Sequence, residues 1–209
     1  MEQLTDFFLQ PYRSASSFDI ALEVTAALFG IASVWFAKKE SIWVYPAGII
    51  STAIYVYICF MYTLYGDLII NVYYTGMSIY GWYMWTHIIE GEHIEITTSS
   101  PSDSFKALVI FAVTAAFVIC VYLYFDRFDR LTDYFDTFTT GIFFAAMWLM
   151  ANKKIEHWTL WIVGNIISIP LYFIKGLGFT GIQFMIFLIL AILGYNEWKR
   201  SLDNNPQRA

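Results

Sequence analysis

Five side chains in one stretch, Trp158, Trp161, Asn165, Ser168 and Tyr172, are spaced i, i+3, i+7, i+10 and i+14. At helical pitch they fall on one face. Two indoles, an amide, a hydroxyl and a phenol include no acid, base or nucleophile, so the chemistry they offer is binding. Indole faces attract a delocalised cation by roughly 0.5–2 kcal/mol per contact. An amide both donates and accepts hydrogen bonds. The stripe suits the wall of an internal cavity that grips a flat, polar, cationic molecule.

A second stripe, Asp67, Asn71, Tyr74 and Ser78, follows i, i+4, i+7 and i+11. Gln183 stands in the last apolar run, and Asp136, Thr137 and Thr140 open an earlier one. Polar groups inside apolar runs are costly and face the protein interior. The expected substrate-binding set is therefore Trp158, Trp161, Asn165, Ser168, Tyr172, Gln183, Asn71 and Tyr74. Each has a plainer alternative. Trp158, at the start of its run, also fits an interfacial aromatic belt. Asn71 also fits interhelical hydrogen bonding. Asp67 fits capping, and Glu23 an ordinary hydrogen bond within the bundle. Neither Ser-His-Asp set, nor metal-ligand spacing among His87, His93 and His157, nor phosphate-cradling glycine loop is present. The reading is a protein without cofactor, metal or catalytic activity.

These residues need elements that hold them inside lipid. The chain has 209 residues, 58% hydrophobic and 14% charged, and its mean hydropathy is +0.55. Soluble domains carry about 25% charged residues, so the class is integral membrane. A net charge of −5 spread over loops argues against nucleic acid. Cys59 and Cys120 read as small buried hydrophobes. The first 17 residues show no basic-then-apolar pattern of a cleaved signal peptide. A span needs about 20 mainly apolar residues. Seven are legible, near 18–37, 43–62, 64–87, 105–125, 135–151, 157–174 and 179–198. The stretch 90–104 reads as a polar loop and 126–133 as a charged surface turn. Pro46 and Pro170 read as kinks, although Pro46 also fits a first helical turn. Lys and Arg divide eight (Lys38, Lys39, Lys106, Lys153, Lys154, Lys199, Arg200, Arg208) against four (Arg13, Arg127, Arg130, Lys175) between the two sides. The richer side is cytoplasmic, which places the C-terminus inside and the N-terminus outside.

An internal repeat runs through the chain. Ile31-Ala-Ser-Val-Trp35 matches Phe144-Ala-Ala-Met-Trp148, and Gly81-Trp-Tyr-Met-Trp85 matches Gly194-Tyr-Asn-Glu-Trp198, both 113 residues apart. Gly48-Ile-Ile-Ser51 echoes Gly164-Asn-Ile-Ile-Ser168 after small gaps. The expected architecture is all-α, with a three-helix bundle over 18–88, a linker helix over 105–126 and a second bundle over 135–199. An odd linker makes the two bundles parallel repeats, as in SWEET sugar transporters.

Tyr45-Pro46-Ala-Gly48-Ile-Ile-Ser51, Leu64-Tyr65-Gly66-Asp67, Asn71 followed by Tyr74, the two Gly-x-x-x-Trp ends and Trp158-Thr-Leu-Trp161, in this order from about residue 20 to 200, resemble the PnuC family of bacterial vitamin transporters. The resemblance implies a seven-helix 3+1+3 fold like two fused SWEET halves. It also implies facilitated uptake of nicotinamide riboside across the inner membrane, and assembly as a trimer. It gives the Trp-x-x-Trp pair, here Trp158 and Trp161, a substrate-binding role. Family relatives for thiamine and riboflavin keep those ligands open, and thiamine too is flat and cationic. Without a basic residue in the expected cavity, a phosphorylated substrate is disfavoured. The alternative class is a membrane scaffold or enzyme whose aromatic stripe packs lipid or a partner.

Overall fold

The computed structural model describes residues 16–62, 65–89, 92–126 and 130–204. Among them run seven helices: α1 (Ser17–Lys38), α2 (Val44–Met61), α3 (Tyr65–Thr86), α4 (Pro101–Tyr124), α5 (Leu131–Ala151), α6 (Glu156–Ile174) and α7 (Gly178–Asp203). A short antiparallel pair, β1 (Ile88–Ile89) and β2 (Glu92–His93), follows α3. Arg13, Arg127 and Arg208 of the charge count, Leu64 of the third expected span, and Glu90 and Gly91 of the loop lie outside the described residues.

Helix ends follow local chemistry. The Ser16 hydroxyl accepts from Asp19 N at the start of α1. Ser100 and Asp103 form a capping box with Pro101 in the first turn, so α4 begins four residues before the expected Phe105. The Asp133 carboxylate accepts from Arg130 N at 2.9 Å. α5 therefore starts at Leu131, inside the stretch read as a charged turn. α7 continues to Asp203 rather than stopping at Trp198. Pro46 sits in the first turn of α2, where its missing N–H costs nothing; Pro170 is the proline within α6. α1 and α5 end alike. Ser41 N bonds Phe36 O at 2.9 Å and Lys154 N bonds Leu149 O at 3.0 Å, each closing a Schellman turn. The left-handed residues in these turns are Glu40 (φ 52°) and Lys153 (φ 50°).

The helices pack in two sets. α1 lies on α2 and α2 on α3; α5 lies on α6 and α6 on α7. α1 against α7 and α3 against α5 join the sets, while α4 packs on α5. The outer surface is apolar: Leu28, Phe60, Val72, Ile79, Leu108, Val113, Phe117, Ile166 and Ile189 are all exposed. Five helices, α1, α2, α4, α6 and α7, are long and apolar enough to cross a membrane. Apolar side chains turned outward have no partner in water and suit hydrocarbon. Of the two cysteines, Cys59 is buried but Cys120 is exposed. The expectation of two buried thiols fails at Cys120 because α4 turns most of its surface outward.

The stretch after β2, read as a polar loop, is in part docked. Ile96 is buried among Trp85, Trp158 and Trp198. Thr97 exchanges backbone bonds with the α5–α6 turn, to Lys153 O (3.1 Å) and from Ile155 N (3.0 Å). The Glu156 carboxylate accepts from Ser99 N and Oγ at 2.9 and 2.6 Å. One apolar residue in a polar run anchors it, and the neighbouring backbone groups find partners instead of water.

Candidate functional site

α6 divides as its periodicity requires. Trp158, Asn165 and Ser168 are buried and Trp161 and Tyr172 half-buried, whereas Val163 and Ile166 are exposed. The stripe faces inward. Its residues do not share one environment, however. The Trp158 indole is 2% exposed. It packs edge-on to Trp198 (centroids 5.8 Å, 90°) and tilted on His157 (4.4 Å). A Cβ added to Gly194 would stand 2.5 Å from the same ring. An interfacial belt requires a ring at the surface, so the belt reading of Trp158 fails.

Trp161, nearly one turn deeper, lies parallel to Phe143 of α5 (4.9 Å, 24°). Phe143 in turn approaches Phe184 of α7 (6.1 Å), and Phe184 approaches Tyr172 (4.7 Å). The Gln183 side chain neighbours Tyr55 of α2. On α3, Tyr73 stacks on Phe144 (3.7 Å, 4°) and donates to its carbonyl at 3.0 Å. Tyr74 tilts on the same ring at 5.8 Å and lies within electrostatic reach of Tyr172. Five helices thus bring Tyr55, Tyr74, Phe143, Trp161, Tyr172, Gln183 and Phe184 into one set of neighbouring side chains within the bundle.

The amide of Asn165 is 1% exposed, and its Oδ1 has no hydrogen-bond partner. An unsatisfied buried acceptor costs about 1–3 kcal/mol, and such orphans are rare in folded chains. Asn71 is less available: its Nδ2 donates to Asp67 O one turn back at 2.8 Å, which leaves its oxygen for other use. Ser78 is buried in tight contact with the Gly48 position of α2, so it serves α2–α3 packing. The Lys175 ammonium pairs with the Asp136 carboxylate.

Sequence reasoning missed Tyr55, Phe143 and Phe184, which are unremarkable among 19 phenylalanines and 15 tyrosines. Only their partners on other helices distinguish them. A groove of about 320 Å³ between α4 and α5, lined by Phe105, Lys106, Val109, Ile110 and Trp148, holds none of the expected substrate-binding residues.

A family model described as a nicotinamide mononucleotide transporter matches residues 20–200. The nicotinamide riboside transporter PnuC of Neisseria mucosa is 30% identical, the alignment covering 87% of this chain and 73% of that protein. PnuC of Escherichia coli is 22% identical over 93% of this chain and 92% of its own. The riboflavin/roseoflavin transporter RibM of Streptomyces davaonensis is 21% identical over 88% of each. The crystal structure of the vitamin B3 transporter PnuC shares the fold, with a TM-score of 0.68 at 24% identity over 96% of this chain and 90% of that one.

Proposed function

Because this chain belongs to the nicotinamide mononucleotide transporter family, we propose that it carries nicotinamide riboside across the bacterial inner membrane, down the vitamin's own gradient. The observation that carries this reading is the orphaned Asn165 Oδ1 one turn from the stacked Trp161 indole. Trp161 offers a π face to the pyridinium ring, and Asn165 Oδ1 accepts from the carboxamide. Gln183, Tyr172, Tyr74 and Ser168 are the neutral partners for the ribose hydroxyls. Asn71 contributes its free oxygen at the end of the second stripe. Trp158 buttresses Trp161 from the core rather than opening a face of its own.

A mononucleotide would bring a phosphate, which wants a free Lys or Arg. Lys175, whose ammonium stands 5.9 Å from the centre of the Tyr172 ring, is already matched by Asp136, so the nucleoside fits better than the nucleotide. Thiamine and riboflavin are the alternatives within the family. Calorimetry on the purified full-length protein with all three vitamins is expected to give binding for nicotinamide riboside. Proteoliposomes are expected to equilibrate it without a proton or sodium gradient. Riboflavin or thiamine binding alone would assign the site to that vitamin. Concentrative uptake driven by an imposed ion gradient would end the facilitator reading.

We also propose that all seven helices span the membrane as parallel repeats, with bundles over 18–88 and 135–199 and a linker over 105–126, and that the chain assembles as the trimer its resemblance implies. The packing supports the repeat. Exchanging α1, α2, α3 for α5, α6, α7 turns the α1–α7 contact into the α5–α3 contact. At the constant offset, Tyr45 against Gly81 and edge-on to Trp85 (5.1 Å, 86°) corresponds to Trp158 against Gly194 and edge-on to Trp198. Gly30 beside Ser51 corresponds to Phe143 beside Gly164, a register that replaces the gapped echo of Ser51 with Ser168.

With seven spans and eight basic residues on one side, the C-terminus is expected in the cytoplasm. A C-terminal phosphatase fusion should be silent, and strong periplasmic activity from it would reverse the orientation.

A further inference from the structure

At the end of the molecule carrying the α1–α2 and α5–α6 turns, Lys153 Nζ meets Glu40 Oε1 at 2.6 Å. The two residues stand 113 positions apart, the repeat offset, and each is the left-handed residue of its Schellman turn. Glycine is the residue such a position favours. Two charged residues instead hold the strained conformation, and backbone strain of this kind collects where function needs the side chain. The Lys153 residue is 8% exposed, and its ammonium also sits 4.5 Å from the centre of the Trp85 ring. Beneath it the equivalent indoles Trp85 and Trp198 are 6.3 Å apart, and Trp198 Nε1 donates to Ala37 O of the other set at 3.1 Å. The docked segment 97–99 braces the same turn through Lys153 O, Lys154 and Glu156. Another ion pair between the sets here, Lys39–Glu197 at 3.7 Å, is half-exposed on both sides and correspondingly weak.

We propose that Glu40 and Lys153 are gate residues of the transport cycle, an ion pair that latches the two three-helix sets shut at this end. An ion pair suits a latch better than an apolar seal. The Lys153 side chain is 10% exposed and the Glu40 side chain 36%, so partial desolvation offsets part of the attraction when shut, and water solvates both charges fully when the pair parts. Closed and open states therefore stay close in free energy, as alternating access requires. Removing Glu40 while shut leaves a buried, unpaired ammonium, and removing Lys153 takes away the attraction across the sets; both favour opening.

This rests on the transport reading, but its test needs no substrate, so the two fail separately. Hydrogen–deuterium exchange on the full-length protein in nanodiscs would compare wild type, Glu40→Gln, Lys153→Met and the double variant. Each single change is expected to speed exchange on the order of tenfold over 36–45 and 150–158, while 170–180 at the far end stays unchanged. Methionine keeps the apolar contact with Trp85 without the charge. The double variant should be no faster than the faster single, because one interaction is lost only once. Wild-type protection in Glu40→Gln would overturn the latch. So would additive effects, or acceleration spread equally to both ends, which is what a merely structural bond would give.

Discussion

Trp161→Ala is expected to weaken nicotinamide riboside binding about five- to thirty-fold, the equivalent of ~1–2 kcal/mol for a partly desolvated cation–π contact. Its indole is parallel to Phe143 and only half-buried, so the loss is one of binding surface more than of core packing. Trp161→Phe should keep part of the affinity, because a benzene face is smaller and less electron-rich. Asn165→Leu should also weaken binding, since the carboxamide would lose its buried partner. Calorimetry on variants that elute as a sharp size-exclusion peak measures both. If the stripe served only packing, yield and melting temperature would fall while affinity in the surviving protein stayed at the wild-type value. A folded Trp161→Ala protein with unaltered affinity would move the search to Asn71 and Tyr74 on α3.

Gly194→Ala is expected to lower the melting temperature by several degrees. The new Cβ would lie 2.5–2.7 Å from Cζ2, Cη2 and Cε2 of Trp158, well inside contact distance. That ring cannot retreat, because His157 and Trp198 hold its other sides. Overpacking of this kind costs roughly 1–3 kcal/mol, about 2–4 °C per kcal/mol for a chain of this size. Affinity should fall as well, since Trp158 carries the turn that presents Trp161. Gly76 is the internal control: nothing stands within 4 Å of a Cβ there. Gly76→Ala should leave the melting temperature unchanged or raise it slightly through helix propensity. Equal melting of Gly194→Ala and wild type would show that the α6–α7 contact is loose, against the close approach described above.

The sequence by itself determined the seven helices to within a few residues at most ends, the inward face of α6, and the family. Those properties are written locally. Apolar run length reports a span, and the 3.6-residue period reports which side is buried, wherever the neighbours happen to be. Capping chemistry was local too, although the Ser100–Asp103 box and the Asp133 cap moved two helix starts beyond where hydropathy alone put them. Only the tertiary structure decided what each inward residue meets. Trp158 and Trp161 are both large indoles on one stripe, yet one is sealed by Gly194 and the other lies on Phe143. Nothing within their own helix distinguishes them. Tyr55 beside Gln183 and Glu40 on Lys153 have partners 128 and 113 positions away in the chain, and Ile96, in its polar run, joins an indole cluster drawn from three helices. Periodicity carries no information about such contacts, because it records the direction in which a side chain points and never the helix that lies across from it.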